Sequence, residues 1–108
     1  MAKYLLIESR DPFESNDVRY FYDLATQLAR SANDVTLFLV QNGVLAARAG
    51  GHTFWFAALK QAGVEILADG FSLSERGIRK DFLSPGVAAA DLDIIVERLG
   101  EGHRALWH

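Results

Sequence analysis

The chain has 108 residues and a mass of 12.0 kDa, room for a single domain over 1–108 and no more. Fourteen acidic side chains against eleven basic ones leave a net charge of −3, which speaks against a nucleic-acid binder with its net basic face. Cysteine is absent, so disulfides, zinc–thiolate sites, iron–sulfur clusters and thiol catalysis are excluded.

Tyr4-Leu5-Leu6-Ile7 is a short apolar run ended by Glu8. It is too brief for a secretory leader, and no stretch reaches the roughly 18 apolar residues of a membrane span. These features predict a soluble cytoplasmic protein with no membrane partner. The run itself reads as a strand buried on both faces, as in parallel sheets covered by helices. From Asp17 the period changes: Val18, Phe21, Leu24, Ala25, Leu28 and Ala29 recur at three- and four-residue steps. That spacing predicts a helix ending near Asn33, capped by Ser15 or Asn16.

Val35 to Val40 is a second buried strand, followed by the turn Gln41-Asn42-Gly43 and a short helix over Val44 to Ala49. Gly50-Gly51 separates it from a helix that Thr53 caps and Gly63 closes. Val64 to Ala68 reads as a third strand, Ser72 to Arg76 as a short helix and Val87 to Ala89 as a fourth strand. Leu92, Ile95, Val96 and Leu99 define an amphipathic helix over Asp91 to Leu99, and Arg104 to Trp107 supplies a last strand. Strict alternation of strand and helix predicts a three-layer α/β/α fold around a parallel sheet of about five strands.

In open sheets of this kind ligands bind beyond the carboxyl ends of the strands. Arg10 and Asp11 follow the first strand, Asn42 and Gly43 the second, Asp69 and Ser72 the third. They form a polar rim that is either a small-ligand cleft or a set of helix caps and turn residues, which such loops need in any case.

Several segments, in order, are similar to the DsrE/DsrF/DsrH-like sulfur-relay family. They are Ser9-Arg10-Asp11-Pro12-Phe13-Glu14-Ser15, the Val35–Val40 strand running into Gln41-Asn42-Gly43-Val44, and Leu67-Ala68-Asp69 leading to Ser74-Glu75-Arg76-Gly77-Ile78. A helix and a last strand ending in an aromatic residue complete the pattern. The resemblance implies a DsrE-like fold, homo- or hetero-oligomeric assembly and, in some members, a persulfide carried on a cysteine just after the third strand. Asp69 is the positional match to that cysteine. A carboxylate cannot hold a persulfide, so the resemblance implies an oligomeric subunit that does not itself carry sulfur, with other sulfur-relay-like proteins as candidate partners.

Other readings are weaker. Asp69 at a strand end resembles a receiver phosphoacceptor, but the last strand ends in Trp107-His108 without the lysine that phosphoryl transfer requires there. His52, His103 and His108 have no metal-ligand spacing and are expected on the surface. Neither a dinucleotide fingerprint nor a P-loop is present, and Gly50-Gly51 is as readily a helix stop as an anion site. No cofactor and no metal is expected. Phe54-Trp55-Phe56 sweeps about 200° of its helix, wider than one core contact uses, and is the expected oligomer interface. Two functions remain: a non-catalytic DsrE-like subunit, or a small-ligand protein or enzyme in which Arg10 grips an anion beside Asn42 while Asp69 acts as base.

Overall fold

The computed structural model describes residues 1–50 and 53–108, and of Thr53 and Phe54 the backbone only. Five strands form one sheet: β1 (Lys3–Glu8), β2 (Asp34–Leu39), β3 (Glu65–Asp69), β4 (Val87–Ala90) and β5 (Arg104–Trp107), in the order β4-β3-β2-β1-β5. Every pairing is parallel. Among the described residues four α-helices accompany them: α1 (Asp17–Arg30), α2 (Thr53–Ala62), α3 (Gly70–Glu75) and α4 (Asp93–Gly100). The α/β class and the five-strand parallel sheet agree with the sequence.

Handedness explains where the helices lie. From β1 to β4 the chain steps steadily across the sheet, so crossovers of one hand place α1, α2 and α3 on one face. The return from β4 to β5 runs the other way, and the same hand puts α4 on the opposite face. The strands show both faces in alternation. Leu6, Leu37, Leu39 and Ile66 pack under Val18, Tyr22, Phe56, Leu59 and Leu73 of the first three helices. On Leu5, Ile7, Phe38, Val40 and Leu67 pack the partly buried Ala90 and, from α4, Ile94 and Ile95. Continuous apolar runs in β1 and β2 are what two covered faces require.

The second face is thinly covered. No residue of α4 is fully buried, and every residue of the edge strand β5 is exposed. Arg98 anchors this helix: its Nη1 donates to Thr36 Oγ1 at 2.8 Å and pairs with Glu65 Oε1 at 2.8 Å. The outward side of the helix carries Val96, 74% exposed, and Leu99.

Several local expectations are corrected. Neither Ser15 nor Asn16 caps α1 through its side chain; Asn16 is already helical, and Val18 N–H reaches the Ser15 carbonyl instead. The segment after β2 is a 3-10 helix over Gln41–Ala47, beginning earlier than Val44. It starts so soon because Gln41 turns through φ +51°, and because Gly43 packs on the Glu8 carbonyl so closely that a Cβ would collide with it. The aromatic run also divides otherwise than expected. Phe56 is 0% exposed and packs on Tyr22 with ring centroids 5.8 Å apart. Trp55 is half-buried, its edge on Tyr22 and the Arg19 guanidinium 6.0 Å from its ring. Phe56 therefore belongs to the core, while Trp55 keeps part of its surface open beside α1. The Phe54 side chain, His52 and the Gly50-Gly51 anion site lie wholly or partly outside the described residues.

Candidate functional site

Two polar constellations stand at the carboxyl edge of the sheet, one on each face. The first is built on β1. Parallel pairing of β1 with β5 sets Ile7 beside Trp107 and so brings His108 to Glu8, whose side chain is fully buried. His108 Nδ1 lies 2.8 and 2.9 Å from the two Glu8 oxygens, and Arg10 N–H donates to Oε2 at 3.1 Å. The imidazole stacks on Phe21 of α1 at 5.3 Å. Burial outweighs these partners and holds the Glu8 carboxyl above its usual range. Among the described residues the buried Tyr22 hydroxyl has no hydrogen-bond partner. Burial, then the charges of Glu8 and Asp11, push its pKa up. Tyr22 is thus a neutral phenol.

A consequence for stability follows from the direction of the Glu8 shift. Above about pH 4.5 the folded chain holds a proton that the unfolded chain has released, so stability falls as pH rises until the folded-state pKa is passed. Glu8→Gln keeps the hydrogen-bonding shape and removes this dependence. The variant is expected to gain on the wild type in urea midpoint as pH rises from 4.5 toward neutrality. A constant gap between the two across that range would contradict the assignment.

The second constellation lies where β3 and β4 end. Helix α3 leaves β3 toward one face and α4 leaves β4 toward the other, so the two connections part and open a crevice between them. A groove of about 280 Å³ occupies this place, lined by Val40, Gln41, Asp69, Phe71, Ser72, Glu75, Leu92, Ile95 and Trp107. Asp69 forms its polar floor. It caps α3 through Oδ2, which accepts from Ser72 N–H at 3.1 Å and from Ser72 Oγ at 2.7 Å. Ser72 Oγ in turn accepts from Gln41 N–H at 2.8 Å. The chain Gln41–Ser72–Asp69 ties the end of β2 to the start of α3 and fixes the carboxylate.

The six rim residues expected from sequence therefore separate. Only Asp69 and Ser72 line the groove. Arg10 gives its backbone N–H to Glu8, and Asp11 Oδ1 accepts from Phe13 N–H at 3.1 Å in a turn of its own. Asn42 Oδ1 accepts from Arg76 Nε at 3.1 Å, while Gly43 is a packing position under the Glu8 carbonyl. An anion-gripping Arg10 beside Asn42 and Asp69 is not the arrangement found. Phe71, Leu92 and Trp107 were missed, because nothing in their spacing shows that the start of α3, the start of α4 and the end of β5 meet. The histidines were misplaced: His103 is buried, with Nδ1 3.0 Å from the Arg98 carbonyl at the end of α4, and His108 is held by Glu8.

Among the described residues no group of three or more His, Asp or Glu side chains could hold a metal ion, and no helix is long and apolar enough to cross a membrane. The family model for DsrE/DsrF-like proteins matches residues 2–107. Among solved structures, the ychN protein from E. coli superposes with a TM-score of 0.90 at 21% identity, each chain covered in full. MTH1491 from Methanobacterium thermoautotrophicum, described as a protein of unknown function, superposes at 0.88 with 18% identity, again over both whole chains. No curated protein sequence gives a significant match.

Proposed function

Because the chain belongs to the DsrE/DsrF-like family, we propose that it is a non-catalytic, homo-oligomeric subunit of the cytoplasm, allied to intracellular sulfur metabolism but unable to hold a persulfide. The single observation carrying this reading is the state of Asp69. It stands at the tip of β3, where the sulfur-carrying cysteine of some relatives is expected. Its Oδ2 is occupied in capping α3 and in the bond to Ser72 Oγ. A carboxylate in that role holds the loop in shape and offers no sulfur nucleophile. The rest of the chain supplies no thiol either.

Oligomerisation is supported by the second face of the sheet. Val96 and Leu99 on α4, with Leu106 on β5, leave apolar surface in water, an arrangement more usual at contacts between chains than on free monomers. Copies of this chain fit that surface, with other relay-like proteins as further partners. Sulfur carriage is tested by mass spectrometry of the intact protein after incubation with polysulfide and gel filtration. The mass is expected to stay unchanged. A retained adduct of one or more sulfur atoms would refute the reading.

A further inference from the structure

We propose that the groove between the tips of β3 and β4 binds a small organic cation, an amine carried on an apolar or aromatic body. This goes beyond the subunit role and does not rest on it.

The carboxylate at its floor is the first ground. Asp69 is only 3% exposed, and both of its described hydrogen bonds end on Oδ2; no hydrogen bond or ion pair among the described residues reaches Oδ1. Oδ1 is not one of the buried polar atoms that lack a partner, so it is open to solvent in the groove that Asp69 lines, where the ammonium group of a ligand can donate to it. Glu75 adds a second negative charge to the wall. No Lys or Arg is among the lining residues. Arg76, the neighbouring cation, is turned toward Asn42 Oδ1 and the Ser72 carbonyl, and reaches Glu75 only at 3.8 Å. Lys80 Nζ passes beside Gly70, but among the described residues no cation forms an ion pair with Asp69.

The walls supply the second ground. Phe71 and Trp107 are 66% and 64% exposed, large aromatic faces flanking the groove, and Leu92 and Ile95 complete an apolar side. Aromatic faces beside a carboxylate suit an ammonium group, which the ring quadrupole attracts as the carboxylate does. An anion would meet the Asp69 carboxylate, whereas the charge of Glu75 is offset in part by Arg76 at 3.8 Å. The volume, about 280 Å³, falls just below the ~300–1,000 Å³ of pockets for drug-sized molecules, so the ligand is small. Its location at the parting of two crossovers is where open α/β sheets bind ligands.

Calorimetric titration of the whole chain with phenethylamine, 2-phenylethanol and phenylacetate tests this, since the three share a body and differ in charge. The amine is expected to bind saturably and at least ~tenfold more tightly than the alcohol, and phenylacetate not at all. Asp69→Asn retains a cap acceptor and should weaken the amine by about tenfold while leaving the alcohol unchanged. Trp107→Ala, a change at an exposed side chain that leaves folding intact, should weaken amine and alcohol alike. The proposal is overturned by equal affinity for the three compounds, or by amine binding indifferent to either substitution. It is equally overturned if no saturable heat appears up to about 10 mM amine, a concentration that reveals even feeble binding. Val96 and Leu99 do not line the groove, so the outcome is separable from the state of assembly.

Discussion

Replacing Phe56 by alanine is expected to lower stability by about 3–5 kcal/mol, the usual cost of emptying a large aromatic site in a core. The ring is wholly buried, and its neighbours come from α1 and from the sheet, elements too firmly packed to collapse into the space. Against a total of ~5–15 kcal/mol for a domain, such a loss brings the chain close to unfolding at ambient temperature. The matching change at Trp55 is smaller in effect, because that indole is half-buried and lies at the margin of the contact with Tyr22 and Arg19. Urea unfolding followed by circular dichroism compares the two. An Phe56→Ala chain that kept its urea midpoint but fell apart into monomers would restore the aromatic helix as an interface and contradict its place in the core.

The uneven fate of neighbouring aromatics shows what a sequence conveys about such a fold. Strands β1 and β2 were legible because residues buried on both faces leave an unbroken apolar run, and α1 because its period is regular over 14 residues. Order and class followed from alternation alone. In the aromatic run, periodicity gives the width of an apolar stripe but not what lies over each ring; here Phe56 is buried on Tyr22, and Trp55 stays half open beside Tyr22 and Arg19. The Glu8–His108 pair joins residues 100 positions apart, and it exists only because β5 returns to the far side of β1. Local spacing carries no trace of that.

The candidate site was legible in part for the same reason. Asp69 and Ser72 are three residues apart, the spacing of a cap, and the cap is what they form. Arg10, Asp11, Asn42 and Gly43 were correctly placed after strand ends, yet being after a strand end does not say on which face a side chain emerges. The groove depends on α3 and α4 departing to opposite faces, and on Trp107 emerging beside α4. Those facts belong to topology.

The exposed side of α4 bears most directly on the subunit role. Val96 is the most exposed large hydrophobic side chain of that helix, and a charge there alters no described hydrogen bond or ion pair. Val96→Glu should therefore change monomer stability by no more than ~0.5 kcal/mol, while a carboxylate pressed into an apolar contact between chains costs several kcal/mol. Sedimentation equilibrium at micromolar concentration separates these effects. The wild-type chain is expected at two or more times 12.0 kDa, and Val96→Glu at 12.0 kDa with an unaltered thermal midpoint. A wild-type chain that sediments as a single 12.0 kDa species would contradict the account.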